Sequence, residues 1–91
     1  AVFDYDKITP PLFLRNRRPA DRFRPAGMGG KSKKLQDYLV DEKVPRPDRD
    51  VIPILATSDE ILWVVGHRAD GRFLPTLGTK KVLTVRVKTL E

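Results

Sequence analysis

Apolar positions along this chain fall into short bursts separated by proline, glycine and charge. Leu35, Tyr38 and Leu39 recur at the i, i+3, i+4 spacing of one buried helical face, which predicts a helix over about 33–41 with Ser32 as its N-cap. Two apolar runs, 51–56 and 61–65, are separated by Thr57-Ser58-Asp59-Glu60 and predict a β-hairpin over about 51–65. Pro53 cannot donate to a ladder, so it puts the first run at a sheet edge or at its own start. Near the end, Leu83, Val85 and Val87 alternate with Val82, Thr84, Arg86 and Lys88, the period-two pattern of a half-buried strand.

The remaining segments are shorter. Residues 1–8 alternate weakly, with Val2, Phe3 and Tyr5 as apolar anchors, and predict an edge strand stopped by Thr9-Pro10-Pro11. Leu12, Phe13 and Leu14 predict a second strand whose basic end leaves the core at Pro19. From 19 to 30, two prolines and three glycines exclude a regular element; a long ordered loop is expected, pinned by Phe23 and Met28. The stretch 44–50 breaks the helix and leaves room for one further turn near Pro47. Gly66 and Asp70-Gly71 mark turns. Together these describe a small α+β domain on antiparallel strands, without repeats.

A chain of 91 residues is expected to fold as one domain, 1–91, with a small core. No apolar run approaches the ~20 residues of a membrane span, and without cysteine there is neither a disulfide framework nor thiolate chemistry. A soluble, cytoplasmic protein is the expectation. The chain starts at alanine and reads as a piece of a longer protein, with Leu90-Glu91 either native or a cloning remnant.

Charge changes the picture most. Between Arg15 and Lys34 stand eight cations and one acid, Asp21, so this window carries +7 while the whole chain carries +6. All of the excess is concentrated there, which favours a polyanionic partner, nucleic acid before membrane. The window contains Gly27-Met28-Gly29-Gly30 running into Lys31-Ser32-Lys33-Lys34 and the predicted helix. A nucleotide-binding P-loop is excluded by spacing, because the first glycine of that pattern would fall at Pro25 and no strand leads directly in. Lys33 and Lys34 are expected in the first helical turn, where the macrodipole disfavours cations and a bound anion would reverse the sign. The forks of Arg17, Arg18, Arg22 and Arg24 suit bidentate phosphate contacts.

Other chemistry-bearing residues have plainer readings. Asp21 is expected to pair with Arg18 or Arg22 and frame the loop, and Phe23 to plug the core rather than stack on a base. Asp37, Asp41 and Glu42 read as a solvated helix face, and Trp63 as core. His67 is the lone histidine and assembles neither a zinc site nor a catalytic triad. Arg68 and Arg72 either extend the basic surface or solubilise the hairpin end.

Several of these segments occur in a recognisable order: 17–25 (Arg-Arg-Pro-Ala-Asp-Arg-Phe-Arg-Pro), 27–46, Arg49-Asp50 with Ile52-Pro53, and 61–66 with Arg68. In that order they resemble the C-terminal domain of bacterial tRNA(Ile)-lysidine synthetases, from about Asp4 to about Phe73. Pro47 departs from the family pattern, in which a bulkier residue is common. The resemblance implies a parent ligase that uses ATP and Mg to join lysine to the wobble cytidine of an isoleucine tRNA. Its ATP site would be a Ser-Gly-Gly-x-Asp-Ser loop in an N-terminal catalytic domain, a sequence this chain does not contain. For this part the resemblance implies tRNA binding along the acceptor stem, and a fold similar to a module of the phenylalanyl-tRNA synthetase β subunit.

The expectation is therefore a tRNA-binding domain with no catalytic residue, cofactor or metal of its own. Its backbone contacts would be Arg17, Arg18, Arg22, Arg24, Lys31, Lys33 and Lys34. The rival readings are a dimerisation or interdomain docking module and, more distantly, an autonomous phosphate-handling enzyme. Whether the parent carries a further fused enzyme is outside what these residues express.

Overall fold

The computed structural model describes residues 1–88; the reading of residues 90–91 as a possible cloning remnant lies outside the described residues. The centre is a three-stranded antiparallel sheet of β2 (Phe13–Arg15), β5 (Ile54–Ala56) and β6 (Ile61–Val64), in the order β2-β5-β6. The expected hairpin is thus β5–β6, narrower than 51–65, with a bulge at Leu55/Ala56. Pro53 precedes β5, which is central, so the proline resolves to the start of its strand and not to an edge.

Both faces of this sheet are covered. Ile54, Ala56, Ile61 and Val64 point to one side, where Leu35, Tyr38 and Leu39 of α1 (Leu35–Asp41) pack with Phe23 and Val44. Leu55 and Leu62 point to the other, against Phe3, Ile8, Ala69 and Phe73, with Trp63 half-buried at the margin. Period-two alternation along β5 splits its residues between two cores, which is why the run is apolar throughout. Over the second core lies a separate ribbon of β1 (Val2–Asp4) and β7 (Val82–Thr84), giving the sandwich-like arrangement. Beyond β7 the backbone amide of Val85 still reaches Ala1 O at 2.8 Å, and Leu83, Val85 and Val87 keep the expected alternation.

Some anchors differ from expectation. Val2 and Tyr5 are exposed, and Phe3 and Ile8 are the buried pair. Asp4 is buried because its carboxylate accepts from the Asp6 amide (3.1 Å) and Thr79 Oγ1 (2.9 Å), closing the turn Tyr5–Lys7. The helix starts at Leu35 and ends in a Schellman arrangement. Val44 N donates to Leu39 O (3.0 Å) and Lys43 N to Val40 O (2.9 Å), with Lys43 at φ +58°. One further turn follows, α2 (Arg46–Arg49), with Pro47 in its first turn where no amide is needed.

Candidate nucleic-acid interface

The loop expected over 19–30 contains a regular element. Arg22–Phe23 forms a two-residue strand, β3, paired antiparallel to β4, Lys33–Lys34, in the register Arg22↔Lys34 and Phe23↔Lys33. Phe23 is buried and meets the Tyr38 ring edge-on, centroids 4.9 Å apart, so it fastens the ribbon to the first core as a plug. Arg22 and Lys34 stand opposite each other, both exposed, and like charges in that position repel. Lys33 and Lys34 are therefore not in the first helical turn. Ser32 is not the N-cap: Lys34 occupies that position with extended backbone and no side-chain cap bond. The first helical amide, Leu35 N, is taken by Asp21 O at 2.9 Å. The helix start is closed by the protein's own carbonyl, so any anion binding must rest on the ribbon instead.

Asp21 frames the loop, with a partner other than those expected. Arg18 O accepts from Asp21 N (3.2 Å) through a turn in which Ala20 has φ +68°, and this folds Asp21 back over the end of β2. There Arg15 grips the carboxylate with both terminal nitrogens, at 3.0 and 3.1 Å, while the Arg18 amide donates to it at 2.7 Å. Arg18 thus contributes only its backbone, and Arg22 turns to Ser32 Oγ (3.0 Å). The glycine loop is likewise internally occupied: Met28 N donates to Pro25 O, Lys31 N to Met28 O, and Gly27, Gly29 and Gly30 all have positive φ. Met28 is exposed and pins nothing. Two of the loop's amides are thus spent on its own carbonyls.

Pairing sorts the seven expected contacts. Arg17 bonds Asp50 (2.8 Å) and Lys33 bonds Asp41, so both charges are locally offset. Among the described residues, the side chains of Arg18, Lys31 and Lys34 have no polar partner, while Arg22 and Arg24 bond only neutral groups, Ser32 and Gly30 O. Arg18 and Arg22 form a ridge between two clefts. One, of about 570 Å³, lies beside Arg17, Lys34, Gln36 and Asp50. The other, about 470 Å³, lies beside Arg24, Arg72 and the hairpin loop Thr57–Glu60. Lys31 and Lys33 line neither.

Asp70 organises the second cleft and was not singled out by sequence reasoning beyond its turn. It is wholly buried and accepts from Arg24 N (2.9 Å), Arg72 N (2.9 Å) and the Arg72 guanidinium (2.9 and 3.1 Å). Arg72 also bonds Glu60 (2.8 Å) and lies over the Phe73 ring. Its hydrogen bonds to Asp70 raise the guanidinium pKa above its ordinary value, with Glu60 adding to the effect. The sequence signal is Asp70-Gly71-Arg72, an Asp at a turn followed two residues later by Arg; its burial is visible only in the structure. Arg68 bonds Ala26 O at 2.8 Å, so it tethers the glycine loop. Asp41 and Glu42 face cations, Lys33 and Arg68, while Asp37 is solvated. His67 sits in a turn, its amide bonding Val64 O. Among the described residues no three His, Cys, Asp or Glu converge as a metal site, and no helix is long and apolar enough to cross a membrane.

Fold and surface together define a small α+β module with a doubly covered sheet and a cationic ribbon on one side. A profile of the family described as the TilS substrate C-terminal domain matches residues 12–86, and the chain belongs to that family. It is 52% identical to the tRNA(Ile)-lysidine synthase of Symbiobacterium thermophilum over 93% of its own length, and 47% identical to that of Caldanaerobacter subterraneus subsp. tengcongensis over 91%. It spans only 17% and 18% of those two proteins. A crystal structure of a TilS C-terminal domain superposes with a TM-score of 0.71 at 37% identity, covering 81% of this chain and 57% of the other. An N-terminal fragment of the phenylalanyl-tRNA synthetase β subunit from Pyrococcus horikoshii shares the fold, with a TM-score of 0.74 at 23% identity, covering 90% of this chain and 26% of that one.

Proposed function

We propose that this chain is the tRNA-binding part of a tRNA(Ile)-lysidine synthase. In this reading the parent ligase uses ATP and Mg in an N-terminal catalytic domain to join lysine to the wobble cytidine of an isoleucine tRNA. This domain grips the acceptor stem and so holds the distant anticodon at the catalytic centre. The observation that carries the reading is the Arg22–Lys34 pair with the partnerless Arg18 beside it. Two cations held opposite each other without a carboxylate are relieved by a phosphate between them. A-form RNA presents its backbone and a wide minor groove, so such contacts position the molecule more than they read its sequence. The ranking within the expected set becomes Arg18, Arg22, Lys34 and Arg24 first, Arg17 and Lys33 weakened by their carboxylates, and Lys31 peripheral.

Titration of tRNA at several salt concentrations tests this. Arg18→Ala and Lys34→Ala should each lower affinity and reduce the salt slope by about 0.7–0.9. An unchanged slope in both would remove the ribbon from the interface. A docking or dimerisation role is favoured by one separate feature, the exposed Phe13 and Leu14 on the edge strand β2. Light scattering distinguishes it: a stable dimer indifferent to tRNA would replace the tRNA-binding reading.

A further inference from the structure

The two clefts flanking the Arg18–Arg22 ridge differ in chemistry. The larger is walled by cations, and its two carboxylates, Asp50 and Asp21, are already committed to Arg17 and Arg15. The smaller carries both signs: Arg18, Arg22 and Arg24 come from the basic loop and ribbon, while the hairpin loop contributes a second wall with Asp59 and Glu60, the latter paired through one oxygen with Arg72. A plain phosphate gains nothing from the second wall, since carboxylates repel it. A ligand that suits both must carry an anion at one end and hydrogen-bond donors at the other.

A nucleotide whose base bears an exocyclic amine has that polarity. Its phosphate matches arginine forks, and the amines of cytosine, adenine and guanine donate to carboxylates, whereas uracil offers no amine. The volume, about 470 Å³, lies within the range of small-molecule sites. The acidic wall is held in place before any ligand arrives. Thr57 Oγ1 accepts from the amides of Asp59 (3.3 Å) and Glu60 (3.1 Å), and Thr57 N donates to Glu60 O at 2.8 Å. Asp59 has no side-chain partner among the described residues, and Glu60 keeps one oxygen free of Arg72. Base pairing uses one hydrogen of each amine and, for adenine and cytosine, leaves the other in the deep, narrow major groove of A-form RNA, so both donors are open to Asp59 and Glu60 together only on an unpaired base.

We infer that this cleft binds one unpaired, amine-bearing nucleotide of an RNA end, its phosphate on the arginine wall and its base amine on Asp59 and Glu60. The inference rests on the RNA-binding reading and extends it from duplex backbone to a single-stranded residue next to the duplex. It gives the domain a preference among RNA ends that phosphate contacts alone cannot supply.

The test uses one RNA hairpin in five forms, blunt or with a single 3′ overhanging A, C, G or U, titrated by fluorescence anisotropy against this chain. At least one amine-bearing overhang should bind at least about fivefold more tightly than the blunt and U forms, the lower end expected for a specific base contact. Asp59→Ala, at an exposed loop position, should abolish that preference without weakening blunt-hairpin binding, since it removes a charge that repels phosphate. Equal affinity for all five forms, with salt-dependent binding intact, would overturn the pocket and leave the backbone reading standing. Failure of every form to bind would overturn both. Free AMP, CMP and GMP form the last arm: saturation by one of them, dependent on Asp59 and without any overhang effect, would reject an RNA end in favour of a free nucleotide.

Discussion

Arg22 and Lys34 stand directly opposite one another across the β3–β4 ribbon, two exposed cations with no carboxylate partner among the described residues. One residue earlier in β4, Lys33 is half-buried and paired with Asp41. Adjacent lysines in sequence therefore have opposite electrostatic situations. Lys34→Ala should leave the melting temperature unchanged or raise it, because it removes a repulsion, while weakening tRNA binding and its salt slope. Lys33→Ala should move tRNA affinity much less. Parallel thermal melts and salt titrations of the two variants check the contrast, and equal losses of affinity would contradict it.

Asp21 holds the basic loop through Arg15, both side chains being mostly buried, and through the Arg18 amide. Removing it strands a guanidinium and an amide together. Asp21→Ala should cost about 2–3 kcal/mol in urea denaturation, as expected for a hydrogen-bonded charge left without its partner. Arg22→Ala, whose side chain bonds only Ser32, should cost far less while affecting RNA binding directly.

Lys43 closes the helix in a left-handed conformation, φ +58°, a position glycine fills without a Cβ penalty. Lys43→Gly should stabilise the domain by about 0.5–1 kcal/mol, the relief of left-handed strain less the added freedom of the unfolded chain. The denaturation midpoint measures it. A loss of stability would mean that the lysine side chain contributes more than the strain it bears.

Burial raises the pKa of Tyr38 above 10.0, and Glu42 adds to the rise against the opposing hydrogen bond from the Arg68 amide. The folded state therefore holds this proton more tightly than the unfolded state. The corresponding stability is complete below pH 10.0 and is lost as pH rises through the folded-state value. Tyr38→Phe should cost about 1 kcal/mol at neutral pH through the lost acceptor, yet show a shallower decline in alkali. Melting curves from neutral to strongly alkaline pH compare the two proteins.

Elements written as local periodicities were legible in the sequence. The helical face of Leu35, Tyr38 and Leu39, the β5–β6 hairpin and the alternation from Val82 onward all hold, because side-chain spacing alone determines which face is buried. The ribbon was not legible. Two-residue strands carry no periodicity, and the glycines and prolines around 19–30 argue for a loop. Ser32 looked like a cap because capping residues are recognised by type. Whether the chain turns helical there depends on Arg22 and Phe23 offering β4 a partner.

The sequence by itself determined the size of the domain's charge excess, its position between Arg15 and Lys34, and the apolar faces that build two cores around one sheet. Tertiary structure alone decided which of those charges remain available. Asp50, Asp41 and Asp21 neutralise Arg17, Lys33 and Arg15 across intervals of 33, 8 and 6 residues. Coulombic pairing acts over a few ångströms of space, whatever the distance along the chain. A net charge can therefore be counted from the sequence, but which cations face solvent is settled only when distant carboxylates have found their partners.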